Sequence, residues 1–196
     1  MSPRLLSAVG AVAVAALLGT ATPVSAESEL RDEFPALTAA ADLAASRSEV
    51  VRIANGEVGY RERAGNCTKY SKDCAAWCGM FTRWVWNKAG VSKLPPAGYG
   101  KAWVATYWAS WGAGKGLLKR RPAGTRKGDP AAGDVIVYGV PGSLAGHVAI
   151  VAKVHADGKL TTIDGNLSNK VVKRTIDPKT TTTNGGSVYG YVRPAF

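Results

Sequence analysis

Residues 73–86 read DCAAWCGMFTRWVW, and this stretch predicts the element around which the rest of the chain is arranged. Its large apolar side chains recur at the spacing of an α-helix, at Trp77, Phe81, Trp84 and Val85. Gly90 follows where a C-terminal cap is expected, so the helix should end near Lys88. Cys78 then lies in the first turn, beside unpaired backbone N–H groups at the positive end of the helix dipole, which favours the nucleophilic thiolate. The alternative is a cysteine that is a small buried apolar residue or half of a disulfide.

The first residues of the chain have the pattern of a secretory signal peptide. Arg4 precedes an apolar segment at residues 5–18, and small residues two apart end at Ala26. We therefore expect residues 1–26 to be removed and the mature protein to be secreted. The apolar segment is too short for a comfortable membrane span, so no stable membrane insertion is expected after cleavage. Residues 27–45 are alanine-rich and are interpreted as a tail or linker, or as a loosely docked helix, which leaves residues 46–196 as one domain.

The net charge of the chain is strongly positive. With 25 Lys and Arg against 14 Asp and Glu, the formal charge is +11 at pH 7, and short basic runs occur at residues 119–121 and 126–127. A positive balance predicts attraction to polyanions. For an exported protein we expect these to be the anionic polymers of a bacterial cell wall, and not nucleic acid. Plain solubility is the alternative. We expect a monomer.

Three cysteines are an odd number for a protein in an oxidising compartment, so one should remain free. Cys67 and Cys74 flank a short polar loop at residues 68–73, and we expect them to close a small disulfide ring. That pairing leaves Cys78 as the free thiol. A zinc site built from the three cysteines and a histidine is the alternative, but the spacing lacks the paired two-residue gaps of structural zinc modules.

The remaining sequence predicts helices first and strands afterwards. Ser46 with Glu49 three residues later is a capping-box pattern that should start a helix ending before Gly59. Another short helix is expected over residues 101–111, where aromatic residues recur at helical spacing. After Pro130, runs rich in β-forming residues predict strands at residues 134–138, 147–154, 159–164, 170–176 and 187–192. Short strands in succession pair antiparallel, so we predict an α+β domain with its helices packed on one face of an antiparallel sheet.

A cysteine nucleophile requires a base, and the chain has only two histidines. His155 lies beside a hairpin turn and is expected to be exposed. His147 opens an apolar strand, from which its imidazole could take the thiol proton and return it to a leaving amine. A satisfied surface histidine at a strand edge is the alternative for His147.

The strand of His147 and the next strand predict which residue orients the imidazole ring. They should form a hairpin, in which a two-residue turn pairs Ala149 with Asn166 and a four-residue turn pairs His147 with Asn166. Because strand side chains alternate between faces, both registers place His147, Asp164 and Asn166 together. Asp164 is then expected to accept the ring N–H and stabilise the imidazolium, while Asn166 could do the same or bind substrate. The alternative for these residues is a simple turn.

This ordered set of motifs resembles the CHAP family of cysteine, histidine-dependent amidohydrolases and peptidases. The resemblance extends over about residues 46–192 and rests on WCGMF at residues 77–81, GDVIV at 133–137, GHVAIV at 146–151 and IDGN at 163–166. It implies a papain-like fold with Cys78 as the nucleophile, His147 as the base and Asp164 as the third member, where relatives often carry Glu. Asn166 matches a further polar position. The resemblance also implies cleavage of amide bonds in peptidoglycan, without a cofactor.

The chain departs from the family pattern in two places. Asp73 and Cys74 resemble the nucleophile motif of a related family of cell-wall cysteine peptidases, which keeps Cys74 as a rival nucleophile. The aspartate-rich calcium loop of some relatives is missing before Cys78, so we expect no metal site.

The six tryptophans have two interpretations. Trp77 and Trp84 are expected in the core. Trp108 and Trp111 are candidates for a substrate-binding groove, where they could stack on sugars or peptides, with core packing as the alternative.

The predicted function is that of a secreted, cell-wall-associated peptidoglycan hydrolase, either an amidase or an endopeptidase. One alternative is a non-catalytic wall-binding module on the same fold, which would usually have lost Cys78 or His147. The other is a secreted cysteine peptidase that acts on proteins. The sequence leaves open which amide bond is cut.

Overall fold

The structure is a computed structural model and describes residues 35–196. The predicted signal peptide, residues 1–26, and the first part of the predicted tail lie outside the described residues. Residues 40–196 form one compact unit, and residues 35–39, which belong to a separate unit, are the first residues of helix α1. In the part of the chain that the structure describes, no helix is long and apolar enough to cross a membrane.

Three helices precede the sheet in the described residues. They are α1 at Pro35–Gly56, α2 at Cys78–Lys88 and α3 at Tyr107–Gly114. Helix α2 ends as the sequence predicts, because Gly90 adopts a positive φ of 77° and its N–H bonds to the Asn87 carbonyl. The central helix predicted from the aromatic spacing is therefore confirmed.

The sheet is antiparallel and has seven strands among the described residues. They are β1 at Leu118–Arg120, β2 at Val135–Tyr138, β3 at His147–Val154, β4 at Leu160–Leu167, β5 at Lys170–Ile176, β6 at Thr182–Thr183 and β7 at Gly186–Val192. Their spatial order is β1-β7-β2-β3-β4-β5, and β6 pairs with β7. The predicted α+β class is confirmed, and the arrangement is consistent with a papain-like fold.

Helix α2 packs on β3 and β4, and this contact forms the main core. Phe81, Val85 and Trp86 are fully buried against the inward side chains of the central strands. Burying one side chain of this size stabilises the fold by about 1.5–3 kcal/mol. The opposite face of the sheet carries a second, smaller apolar cluster that includes Ile136 and Leu160. Because apolar clusters cover both faces of the central strands, the sequences of these strands are continuous runs of apolar residues.

Two close approaches set the position of α2. A Cβ on Gly79 would lie 1.9 Å from the carbonyl oxygen of Ala102, and a Cβ on Gly165 would lie 2.6 Å from the Cβ of Phe81. Both distances are far below any real carbon contact. Only the absence of a side chain at these two glycines lets the helix lie this close to the sheet and to the segment before α3.

Helix α1 begins earlier than predicted. It starts at Pro35 and runs through Ser46 without interruption, so the capping-box prediction at Ser46 is wrong. The Ser46 hydroxyl donates to the Asp42 carbonyl one turn back, and Glu49 pairs with Arg52. The physical reason is the preceding alanine-rich segment, whose residues are strong helix formers, together with a proline at the first helical position.

The helix predicted over residues 101–111 is also displaced, because the structure has α3 at Tyr107–Gly114. Residues 98–106 form successive tight turns instead, with N–H groups bonded three residues back, as from Val104 to Lys101. The Ala102 carbonyl points away from a helical ladder and accepts the Trp108 Nε1–H at 3.0 Å. Strand β4 continues to Leu167, beyond the predicted end at 164, and the short strands β1 and β6 were not predicted.

The contact between Gly79 and Ala102 generates a stability prediction. Gly79→Ala should lower the free energy of unfolding by roughly 1–3 kcal/mol, because the added methyl group meets a backbone oxygen that cannot move alone. The matched control is Gly56→Ala at the end of α1, where an added Cβ has no neighbour within 4 Å. Urea unfolding of both variants measures the difference. Equal midpoints for the two variants would contradict the packing argument.

Candidate active site

Cys78 is the first residue of α2, and its thiol is free and buried, with 7% of the residue exposed. The backbone N–H groups of Gly79 and Val148 act on its sulfur and help to lower the pKa of the thiol. The first comes from the first turn of the helix and the second from strand β3. N–H donors at a helix N-terminus stabilise a thiolate more than a thiol.

His147 opens strand β3 and is completely buried. Its Nε2 lies 3.0 Å from Oδ1 of Asp164 on the neighbouring strand. Its Nδ1 makes no hydrogen bond within the described residues, and besides Asp164 the Cys78 thiol is the group that raises the pKa of the ring. Since Nε2 is occupied by Asp164, the ring meets the sulfur through Nδ1. The imidazole therefore stands between a thiol and a carboxylate.

The pKa of Cys78 is lowered and the pKa of His147 is raised. Burial raises the pKa of the Cys78 thiol, but the neighbouring His147 outweighs this effect and holds that pKa below its ordinary value. Burial lowers the pKa of His147, but the hydrogen bond to Asp164 and the neighbouring Cys78 sulfur raise it to about 9. At neutral pH these directions favour thiolate paired with imidazolium.

Asp164 is fully buried in β4 and accepts three hydrogen bonds. Besides His147, they come from the Thr162 hydroxyl at 2.6 Å and from Arg174 Nη2 at 2.8 Å. Burial raises the pKa of this carboxyl, but the hydrogen bonds and charges of His147 and Arg174 hold it below its ordinary value. Asp164 therefore remains ionised without contact with solvent.

Sequence reasoning missed Arg174. It lies on β5 directly opposite Thr162, and Val172 lies opposite Asp164. A plain two-residue turn at residues 168–169, with Leu167 opposite Lys170, would pair Asp164 with Lys173 and leave Arg174 on the other face of the sheet. The irregularity between Asp164 and Leu167 shifts the register by one residue and brings Arg174 to the face of the carboxylate. No local pattern in the sequence signals that shift.

Asn166 lies near the same centre but does not contact the imidazole ring by a hydrogen bond. It has a positive φ of 59°, at the interruption of the β4–β5 pairing between Asp164 and Leu167. Its side chain lines the cleft above Cys78. Of the two predicted orienting residues, the structure brings Asp164 to His147 and leaves Asn166 facing the cleft.

The cleft beside Cys78 has a volume of about 340 Å³. Its lining combines small, aromatic, aliphatic and amide side chains: Ala75, Ala76, Tyr99, Trp103, Val104, Ala105, Leu144, Gly146, Asn166 and Asn184. Tyr99 and Leu144 are exposed at its rim. Trp103 is held in this lining by Asp73, whose Oδ2 accepts the Trp103 Nε1–H at 2.7 Å.

The substrate groove expected at Trp108 and Trp111 is corrected by the structure. Trp108 is fully buried and Trp111 is 8% exposed. The rings of Trp86, Trp108 and Trp111 pack against one another inside the core, with Trp108 edge-on to both neighbours. The tryptophan of the cleft is instead Trp103, which the displaced start of α3 leaves in the loop.

The disulfide between Cys67 and Cys74 is present, and Cys78 is free, as predicted. A cysteine in a disulfide has no thiolate, so Cys74 cannot act as the nucleophile in this state. The ring also places Asp73, next to Cys74, where it holds Trp103. His155 is half-buried, bonds through Nε2 to Thr161 at 2.8 Å, and is not part of the cleft lining. No cluster of three or more potential metal ligands occurs among residues 35–196.

Together these groups can carry out acyl transfer. A thiolate is a strong nucleophile, an imidazolium beside it can protonate a leaving group, and a buried carboxylate fixes the ring and stabilises its positive charge. The same arrangement can hydrolyse a thioester once water replaces the leaving group.

Comparison with known proteins gives one positive result. The family model described as CHAP domain matches residues 58–166, which is more than half of the chain and includes all the residues of the group described above from Cys78 to Asn166. No curated protein and no solved structure matches the chain.

The electrostatics of the pair generate a prediction for the thiol. The rate of Cys78 alkylation by iodoacetamide should reach half its plateau below the pH of an ordinary thiol, because imidazolium stabilises the thiolate. In His147→Ala the midpoint should rise by at least ~1 pH unit, because burial then acts without the compensating charge. Stopped reactions analysed by mass spectrometry measure the rate.

The matched control is His155→Ala, which removes the other histidine of the chain and should leave the midpoint unchanged. An unchanged midpoint in His147→Ala would show that the imidazole does not interact with the sulfur.

Proposed function

Because the chain belongs to the CHAP domain family, we propose that it is a peptidoglycan hydrolase that cleaves an amide bond with Cys78 as its nucleophile. CHAP domains are generally hydrolases of the amidase or peptidase type. The observation that carries the proposal is the free thiol at the N-terminus of α2, whose pKa is lowered by a buried histidine that is itself bonded to a buried carboxylate. This combination lies at the base of a cleft.

The reaction runs in two halves. The Cys78 thiolate attacks the amide carbonyl carbon, and the His147 imidazolium gives its Nδ1 proton to the nitrogen as the carbon–nitrogen bond breaks. This leaves a thioester and a free amine. Water then attacks the thioester while His147 takes its proton, and the carboxylic acid product leaves as the thiolate is regenerated. Asp164 holds the ring in place and keeps its charge throughout.

The negative oxygen of each tetrahedral intermediate requires a donor. The backbone N–H of Cys78 belongs to the first turn of α2, where N–H groups have no partner within the helix. One such donor is typically worth about 3 kcal/mol in the transition state. The helix dipole adds to this stabilisation because the charge develops at its positive end.

The cleft supports a substrate with both peptide and apolar character. Tyr99, Trp103 and Leu144 offer flat or apolar surfaces, and the amides of Asn166 and Asn184 offer hydrogen bonds. Asn166 and Asn184 both have positive φ, which asparagine tolerates better than most residues. We assign Asn166 to substrate binding and Asp164 to orienting His147.

The proposal extends to location and partners. A signal peptide at residues 1–26 and a disulfide between Cys67 and Cys74 both fit a secreted protein that works at the cell wall. A groove of about 540 Å³ is lined by Lys119, Arg120, Arg126 and Lys127, with Asp129 as the acidic member of its lining. We assign this basic groove to the anionic phosphate polymers of the wall.

Two of the four basic side chains in the basic groove already have partners. Arg126 already forms an ion pair with Asp177, and Arg120 stacks on Tyr189 at 3.7 Å and donates to its hydroxyl. Lys119 and Lys127 are exposed. We therefore expect these two lysines to contribute most of the attraction for a polyanion.

Two other functions account for part of the same observations. A secreted cysteine peptidase would use the same Cys78, His147 and Asp164 on a protein substrate. A wall-binding module without activity would not need a thiol whose pKa is lowered beside a buried histidine. The substrate therefore has to be tested directly.

Catalysis is tested with two substitutions. Cys78→Ser and His147→Ala should each lower the release of soluble fragments from purified sacculi by several orders of magnitude, because the members of such a unit act together. Circular dichroism should remain that of the native protein. Mass spectrometry of the wild-type digest should show new amino and carboxyl termini, which identifies the bond cut.

Casein in a parallel reaction separates the peptidase alternative, since hydrolysis of casein but not of sacculi would refute the proposed substrate. Activity that survives in Cys78→Ser would refute the proposed nucleophile. A wild-type protein that binds sacculi without releasing fragments would indicate the non-catalytic module.

The basic groove is tested by binding. Replacing Lys119 and Lys127 together by Glu should weaken sedimentation with wall fragments that retain their phosphate polymers, and added salt should weaken the wild type in the same way. The control replaces Lys93 and Lys115, exposed elsewhere on the surface, with the same net charge change. Equal losses in both double variants would mean that total charge, and not the groove, carries the attraction.

A further inference from the structure

We propose that Arg174 is a positioning residue that holds Asp164 ionised against His147 and thereby sets the pH range in which the catalytic pair exists. The proposal deepens the proposed function and rests on it for the hydrolysis assay. The effect on the thiol can be measured without any substrate, so the two ideas can fail separately.

The carboxylate of Asp164 is shared between two cationic side chains. His147 Nε2 lies 3.0 Å and Arg174 Nη2 lies 2.8 Å from the same oxygen, Oδ1. The second oxygen, Oδ2, accepts the Thr162 hydroxyl at 2.6 Å. A lone buried carboxylate tends to take up a proton, because burial penalises its charge. A permanent guanidinium at contact distance prevents that protonation.

Arg174 is held in place for this contact. The same Nη2 also donates to Thr183 Oγ1 at 2.9 Å. Thr183 lies on the two-residue strand β6, and Arg174 stands opposite Thr162 on β5. Its side chain is 25% exposed, so the guanidinium enters from the solvent side and Asp164 itself stays fully buried. Because one nitrogen, Nη2, makes both contacts, the other guanidinium nitrogens are not needed for them.

The other titratable groups around Asp164 do not substitute for this charge. Cys78 faces His147 from α2, and Tyr138 faces the ring from β2 with ring centroids 5.8 Å apart. Burial raises the pKa of Tyr138 far above neutral pH, so its hydroxyl is uncharged. Arg174 is therefore the group that balances the carboxylate when His147 is neutral.

The sign of the effect follows from Coulomb's law. A fixed positive charge lowers the proton affinity of every group near it, so Arg174 lowers the pKa of Asp164 and opposes the rise in the pKa of His147 that Asp164 causes. Removing the charge should therefore move both limbs of the activity profile to higher pH. At the acid limb, Asp164 and Cys78 then take up protons at a higher pH than in the wild type. At the basic limb, His147 loses its proton at a higher pH.

The experiment compares Arg174→Met with Arg174→Lys. In Arg174→Met, both limbs of sacculus hydrolysis against pH should move up by about 1 pH unit, and the midpoint of Cys78 alkylation should move in the same direction. Arg174→Lys should restore both toward wild type, because a single ammonium can replace the single nitrogen that makes the contacts. Arg52→Met, on the exposed surface of α1, is the control and should leave all midpoints unchanged.

A second variant keeps the proposal falsifiable if Arg174→Met does not fold. Thr183→Val removes the anchor of Nη2 and leaves the charge, so it should shift the midpoints in the same direction by a smaller amount. The proposal is wrong if the variant that folds lowers the rate at every pH without moving either limb, or if Arg174→Lys does not restore the midpoints. Absence of sacculus hydrolysis in the wild type would refute the proposed function, while the alkylation midpoints would still decide the role of Arg174.

Discussion

The buried negative charge of Asp164 is the constraint on which the rest of the site depends. Removing a carboxylate from water costs several kcal/mol, and that cost is offset only when charged hydrogen-bond partners replace the lost hydration. His147, Arg174 and Thr162 supply those bonds from β3, β5 and β4. The sheet must therefore bring three strands into register around one side chain, and the imidazole can then direct its other nitrogen only toward the N-terminus of α2.

Much of this arrangement could be predicted because it follows from periodicity. The aromatic spacing predicts α2, and strand alternation places His147 and Asp164 on one face in either hairpin register considered. The observed pairing of Ile150 with Ile163 corresponds to the four-residue turn, and a bulge after Val151 absorbs the difference near the turn. Local pattern was sufficient here because side-chain alternation survives a change in turn length.

The features that could not be predicted depend on contacts between distant segments. Residues 101–106 have a helical pattern in the sequence. However, the Ala102 carbonyl accepts a hydrogen bond from Trp108 and lies against Gly79, so this segment forms turns and not a helix. Trp103 consequently reaches the cleft, whereas Trp108 enters the core. Arg174 was missed because its role appears only when β5 is paired with β4, and no local motif distinguishes it from a solvated arginine.

Gly165 separates Asp164 from Asn166 and lies against Phe81, where a Cβ would come within 2.6 Å of that side chain. This contact limits the substitutions that such a chain can accept. Exposed side chains of the cleft, such as Tyr99 and Leu144, can change in size without displacing the core. Any side chain at position 165 would instead push the helix that carries Cys78 away from the strand that carries Asp164. New substrates are accessible to this scaffold by single substitutions, whereas a new spacing between thiol and carboxylate requires coordinated change in both the helix and the sheet.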